Sequence, residues 1–252
     1  MKIRTILVSQ PRPDSERSPY FDLAKKLKLK IDFRPFIHVE EIHAREFRKS
    51  KIRINEHSAV IFTSRTAIDN YFRMCEEMRV SIDERIKYFC ISESTAFYLQ
   101  KYINYRKRKV LFGERRFDDL IVLLKKHQEE KFFVPLSDKH KPEIPLKLEQ
   151  NNFKYSKAIL YKTVISDLSD LQNVYYDILV FFSPSGIQSL FKNFPSFNQH
   201  STKIAVFGPS TAKAAKEMGL RIDIQAPNPQ SPSMTMALDN YIKKFNKQNG
   251  KK

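Results

Sequence analysis

The sequence predicts an α/β protein made of two similar parallel-sheet domains, joined by a two-stranded linker with a cleft between them. Three observations lead there. Short apolar runs alternate with stretches of helical periodicity, the pattern of βαβ units with right-handed crossovers. A strand–hydroxyl–helix pattern occurs twice. AVIFTSRTAIDNYF (59–72) matches ILVFFSPSGIQSLF (178–191), with Phe62 over Phe181 at an offset of 119 (181 − 62). KYFCISESTA (87–96) matches KIAVFGPSTA (203–212), with Ser94 over Ser210 at an offset of 116 (210 − 94). Two matches in one order at nearly one offset indicate an internal duplication, with halves of about 1–127 and 131–252. The third observation is a pair of extended segments without helical periodicity, about 31–40 and 154–166, suited to crossings between domains. Domain one is then expected to comprise 1–38 plus 166–252, and domain two the inserted residues 40–164.

The elements follow in order. RTILVS (4–9) is a strand, and Tyr20, Phe21, Leu23, Ala24 and Leu27 fall on one helical face. Pro35 excludes helix from the extended stretch that follows. AVIFTS ends a strand at Ser64, and Ile68, Tyr71, Phe72, Cys75 and Met78 form the inner face of a helix over 65–78. A strand at 88–92, a helix at 93–102, a short strand at 110–112 and a helix at 117–127 follow. The last of these has acids early and cations late, matching the helix dipole. KFFVPL (131–136) is a strand resembling the chain start, a helix lies near 143–151, and KYSKAILYKTVIS is extended. Strands at 177–183, 203–208 and within RIDIQA alternate with helices at 184–194 and after Pro209. Gly219 stands where a left-handed residue ends the latter helix. A closing helix is expected over 231–246.

The formal net charge is +17, and the tail beyond Asp239 contributes five lysines and no acid, which leaves +12 (17 − 5) on the body. Such a field favours acidic partners: nucleic acid, anionic lipid or a polyanionic small molecule. The basic runs KKLKLK (25–30) and YRKRK (105–109) carry no recognition motif and read as solvated charge. The opening residues form no signal-peptide or membrane-spanning run. Cys75 and Cys90 read as small buried thiols of a protein in the reducing cytoplasm. With five glycines there is neither GxGxxG nor GxxxxGK[ST], and HExxH, a metal-spaced cysteine pair and GxSxG are also missing. Chemistry without cofactor, metal or covalent Ser/Cys intermediate is expected.

What remains are four strand-to-helix turns: Thr63-Ser64-Arg65-Thr66, Ser92-Glu93-Ser94-Thr95, Ser183-Pro184-Ser185-Gly186 and Gly208-Pro209-Ser210-Thr211. Ligands of parallel α/β sheets bind beyond the carboxyl ends of strands, where helix N-termini present unpaired N–H groups to anions. The same residues also suit plain helix capping, and Pro184 and Pro209 suit a first helical turn.

In this order, ILVSQPRP, FTSRTAIDNYF, ISESTA, ILYKT, FFSPSGI, FGPSTAKAAKEMG and QAPNPQSPSMTMAL resemble the uroporphyrinogen-III synthase family over nearly the whole chain. The resemblance implies a cytoplasmic monomer that needs no cofactor. The implied enzyme is a lyase that closes the linear tetrapyrrole hydroxymethylbilane, with its eight carboxylates, into uroporphyrinogen III. It inverts ring D and eliminates water. Tyr161, in Tyr-Lys-Thr, matches the family's cleft tyrosine and is expected to assist departure of the hydroxymethyl oxygen. Ser64, Thr95, Ser183, Ser185 and Ser210 match positions lining the cleft, and Lys203 matches a basic residue that could pair with a carboxylate. Two positions depart from the family pattern: Ser9-Gln10-Pro11 replaces Thr-Arg-Pro, and Ser92 replaces a glycine. A basic non-catalytic binding module, with nucleic acid or another polyanion as its partner, and a tetrapyrrole binder without turnover are the alternatives.

Overall fold

The computed structural model describes residues 2–114, 116–172 and 174–249. It divides into two compact units, Met1–His38 with Val164–Lys252 and Val39–Thr163. In chain order, the first unit opens with β1 (Thr5–Val8), α1 (Pro19–Leu27) and β2 (Lys30–Phe33). The chain then runs through β3 (Ile37–Glu41) into α2 (Ala44–Phe47), β4 (Ala59–Phe62), α3 (Arg65–Glu77), β5 (Lys87–Cys90), α4 (Glu93–Tyr98), β6 (Val110–Phe112), α5 (Phe117–Leu124), β7 (Phe132–Ser137) and α6 (Glu143–Gln150). It leaves through β8 (Tyr155–Ile165) and completes the first unit with β9 (Ile178–Phe181), α7 (Pro184–Asn193), β10 (Lys203–Phe207), α8 (Pro209–Glu217), β11 (Ile222–Ala226) and α9 (Met234–Asn249).

The sheet of the first unit has the order β11-β10-β9-β1-β2, and that of the second β3-β8-β7-β4-β5-β6. The pairs β1–β2, β1–β9, β9–β10, β10–β11, β4–β5, β4–β7, β5–β6 and β7–β8 are all parallel. Written from the matching edge, β2-β1-β9-β10-β11 and β8-β7-β4-β5-β6 are one arrangement. The strands occur in a different chain order, because the segment β4 to β6 precedes β7 and β8. The duplicated motifs fall on equivalent strands, β4 with β9 and β5 with β10.

Both faces of each sheet are covered, as parallel sheets require. Alternation along β4 sends Val60 and Phe62 into one core and Ala59 and Ile61 into the other. Along β9, Ile178 and Val180 enter one core while Leu179 and Phe181 enter its opposite. Cys75 and Cys90 are buried and free.

Several helix ends differ from the sequence expectation by local capping. The closing helix starts at Met234 rather than 231, because Ser233 caps it: the Met236 N–H donates to Ser233 Oγ at 3.2 Å. The expected helices 93–102 and 117–127 each end in a 3-10 turn, Leu99–Lys101 and Lys125–His127. Gly219 has φ of 75°, and the Leu220 N–H closes onto the Ala215 carbonyl at 2.9 Å. A side chain at that φ would be strained, which accounts for glycine there.

Candidate active site

In each sheet the chain direction of winding reverses at one place: between β1 and β9 in the first unit, and between β7 and β4 in the second. Such switch points leave a crevice at the carboxyl ends of the strands. In the second unit a cavity of about 660 Å³ lies there, lined by Thr63, Ser64 and Thr66 after β4 and by Ser137 at the end of β7. Tyr161 and Thr163 of β8 close its side.

Tyr161 reaches this cavity because β8 is irregular. Leu136 pairs with Ile159, but the next residue, Ser137, pairs with Tyr161, so Leu160 is an extra residue in the ladder. A bulge of this kind re-aims the side chains beside it. Regular alternation would put Leu160 and Tyr161 on opposite faces, yet both pack in the core beneath α3. Arg73, from α3, holds the bulge. Its Nη2 donates to the Leu160 carbonyl at 3.4 Å and the Ile42 carbonyl at 2.9 Å, while the Ile42 N–H donates to Leu160 O at 2.9 Å.

The re-aimed phenol lies 3.2 Å from Ser64 Oγ. Ser64 caps α3 and accepts from the Ala67 N–H at 3.0 Å. Either hydroxyl can be the donor across this contact; with Ser64 donating, the phenol proton is left for a ligand. Tyr161 is 7% exposed. Burial pushes its phenol above the ordinary tyrosine range, the Ser64 hydroxyl pulls the other way, and the nearby Asp138 carboxylate raises it further. The group therefore stays protonated at neutral pH and acts as a donor. Burial alone would raise Asp138, but the Thr163 N–H, at 2.9 Å, and the Ser137 hydroxyl, at 3.0 Å, hold its carboxyl below the usual range.

The cavity wall is basic. Arg116, Lys139, Lys141 and Lys147 line it against Asp118 and Glu143, and His140 adds an imidazole. Lys147 pairs with Asp118 at 2.6 Å. Cations outnumber carboxylates, so part of the chain's positive excess is concentrated where the hydroxyls and Tyr161 meet. None of these basic residues was singled out by sequence. They come from the turn before α5, the β7–α6 turn and α6, and the SDKHK run directly after a strand was the available signal.

The remaining expected residues separate. Thr95 is buried in the first turn of α4, where its hydroxyl bonds Ser92 Oγ at 3.0 Å; it serves the cap and does not line the cavity. Ser92, in place of the family glycine, is an extended N-cap residue with φ of −152°. In the first unit, Ser183 caps α7 by accepting from the Gly186 N–H at 3.1 Å, and Ser185 lies half-buried in that first turn. A Cβ built at Gly186 would stand 3.6 Å from Ser183 Oγ and 3.7 Å from Ser9 Oγ, so the ends of β1 and β9 meet at this turn. Ser210 is exposed in the first turn of α8. Beside it Thr211, equivalent to Thr95, is 1% exposed, and its hydroxyl has no partner among the described residues, since Gly208 stands where Ser92 would answer it. Lys203 does not join these groups. It begins β10, at the strand end away from the turns, with Asp223 at 3.8 Å and the Phe245 ring at 5.5 Å.

Among the described residues, one group has metal-ligand spacing: His127, Glu129 and Glu130. The Lys87 ammonium occupies that position, 2.5 Å from Glu130 and 3.3 Å from His127 Nδ1. It supplies the positive charge the carboxylates need. No helix among the described residues is long and apolar enough to cross a membrane.

Comparison with known proteins gives the family and the fold. The family model HEM4, described as uroporphyrinogen-III synthase HemD, matches residues 19–236. The structure is similar to a uroporphyrinogen-III synthetase from Helicobacter pylori, with a TM-score of 0.65 and 16% identity over 96% of this chain and 99% of that one. It is also similar to a mutant uroporphyrinogen III synthase from Thermus thermophilus, with a TM-score of 0.58 and 14% identity over 99% and 100% of the two chains. No match was found among curated protein sequences.

Proposed function

We propose that this chain, which belongs to the uroporphyrinogen-III synthase family, uses Tyr161 as the hydrogen-bond or proton donor to the departing hydroxymethyl oxygen of hydroxymethylbilane. The family's reaction is a lyase step of haem biosynthesis: hydroxymethylbilane closes to uroporphyrinogen III with inversion of ring D and loss of water. A poor leaving group of this kind needs a donor as the carbon–oxygen bond breaks. Tyr161 is suited to it, being protonated, half-enclosed by the cavity and able to accept from Ser64 while its own proton faces the ligand. The single observation that carries the proposal is the bulge at Leu160, which turns Tyr161 onto Ser64 at the switch point of its sheet.

Each unit, taken by itself, offers partners for carboxylates. The second unit has the basic wall of Lys139, Lys141, Lys147 and Arg116 and the Thr63 hydroxyl, with Ser64 lining the cavity beside Tyr161. In the first unit the turns holding Ser183, Ser185 and Ser210, with Thr211 beside them, offer hydroxyls and helix N-termini. Thr95 acts on the shape of its own turn, and Lys203 takes no part. The enzyme works as a cytoplasmic monomer on a small-molecule substrate; its reduced, buried cysteines support a reducing compartment.

The test is the product isomer. Purified protein supplied with enzymatically generated hydroxymethylbilane should give the type III isomer faster than spontaneous closure. Type I product alone, at the uncatalysed rate, would refute the assignment.

A further inference from the structure

The YRKRK run lies at an open edge of the second unit's sheet, where β6 is the last strand. Its cations share one tight turn ahead of β6. The Arg106 carbonyl accepts from the Lys109 N–H at 2.9 Å and from the Val110 N–H at 3.2 Å. Arg106, Lys107 and Arg108 are exposed, and among the described residues none of the three forms an ion pair. Asp83, whose charge reaches Lys109, is already paired with Arg85 at 2.7 Å. The turn stands at the amino end of its strand. Ligands of a parallel sheet bind at the carboxyl ends, so the reaction described above makes no use of these charges.

An aromatic shelf adjoins the turn. Tyr105, directly before Arg106, stacks on Phe97 of α4 with ring centroids 6.1 Å apart and an interplanar angle of 12°. Tyr105 packs on the core beneath, and Phe97 is the outer ring, 54% exposed. Phe112 shares this side of the sheet. Val110 enters the core that α3 and α4 cover and Leu111 the opposite one, so strand alternation returns the half-exposed Phe112 to the first face.

Open ring faces beside unpaired cations suit a single-stranded nucleic acid, whose bases stack on aromatic side chains while Lys and Arg track its phosphates. A duplex offers the same phosphates but keeps its bases stacked inside. A membrane surface favours an amphipathic helix with cations along its polar face, whereas these cations lie on a turn. We propose that the Phe97–Tyr105 stack and the 106–109 turn form a binding site for single-stranded nucleic acid, with a base on Phe97 and phosphates on Arg106, Lys107 and Arg108. The proposal does not depend on the role given to Tyr161.

The probe is a fluorescein-labelled oligouridine of about a dozen nucleotides, within the span one such site covers, titrated into the full-length protein and read by anisotropy. Binding should saturate and weaken with added salt. Arg106→Ala combined with Lys107→Ala and Arg108→Ala should flatten the plot of log affinity against log salt by about 2, from about 0.7 per phosphate contact on a single strand. Phe97→Ala should weaken binding about tenfold and leave that slope unchanged, because it removes a base stack and no charge. Lys216→Ala combined with Lys244→Ala and Lys247→Ala removes equal charge from the first unit and should change affinity less than about twofold, since distant exposed charges are screened. Equal losses in the two triple variants would assign binding to the overall charge and overturn the proposal. Parent-like affinity in Phe97→Ala, or a duplex of equal length bound as tightly as the single strand, would also overturn it. So would a protein that pellets with phosphatidylserine vesicles and does not bind oligouridine.

Discussion

The Tyr161 phenol oxygen and the Ser64 hydroxyl lie 3.2 Å apart, although 97 residues separate them in sequence. One residue ends a βα turn and the other follows a bulge in β8. Ser64 accepts from the helix it caps and shares one hydrogen bond with the phenol. Its hydroxyl is the one neighbour that draws the Tyr161 phenol down, against burial and Asp138.

Ser64→Ala therefore removes two things at once. Loss of the cap should cost about 1 kcal/mol of stability, read as a lower urea midpoint. Loss of the donor leaves a weaker acid at Tyr161, so kcat should fall about tenfold. Ser64→Thr restores the cap and a hydroxyl and should recover most of both.

Arg73 is a positioning residue. Its guanidinium satisfies the carbonyls of Leu160 and Ile42 and forms ion pairs with Glu77 and, at 3.3 Å, with Glu41. Arg73→Met should destabilise the protein by about 1.5–3 kcal/mol, the range for a hydrogen bond to a charged group. It should also lower kcat more than it raises KM, since the bulge that aims Tyr161 loosens. Arg73→Lys lacks the fork that reaches both carbonyls and should rescue little.

The basic wall acts on binding rather than on the chemical step. Lys139→Ala combined with Lys141→Ala should raise KM for hydroxymethylbilane several-fold while kcat changes less than twofold. Added salt should raise KM of the parent protein and narrow the gap between the two, because screening weakens exposed charge pairs.

How far the sequence exposed this site depends on where each residue sits in its element. Ser64 and Ser183 were readable because an apolar run followed by a hydroxyl and an amphipathic stretch specifies a strand, an N-cap and a helix within a few residues. The closing strands and helices were readable for the same reason. Tyr161 was nominated through the ILYKT resemblance, but its orientation rests on the bulge, and one extra residue in a β8 ladder leaves no periodic trace. The basic wall gathers residues from three separate segments, so only the fold brings Lys139 near Lys147 and Arg116. Lys203 shows the converse. It stands at the start of its strand, and strand starts in a parallel sheet point away from the ligand edge.

Asp138 gives a pH signature. Its folded pKa lies below the ordinary value, so it adds stability above the unfolded aspartate pKa of about 3.9 and loses it as pH falls through the folded value. Asp138→Asn should unfold at lower urea than the parent protein at neutral pH, and the two midpoints should converge as pH is lowered below about 4. A gap that stays constant with pH would assign the effect to packing rather than charge.

The role of the Tyr161 phenol is tested most directly by the single-turnover rate of Tyr161→Phe on hydroxymethylbilane, with the circular dichroism spectrum and urea midpoint as folding controls. The expected result is a rate lower by about 100-fold or more, the scale of general acid assistance, in a protein that stays folded and binds substrate nearly as tightly. A folded Tyr161→Phe protein that turns over within about twofold of the parent rate would contradict it.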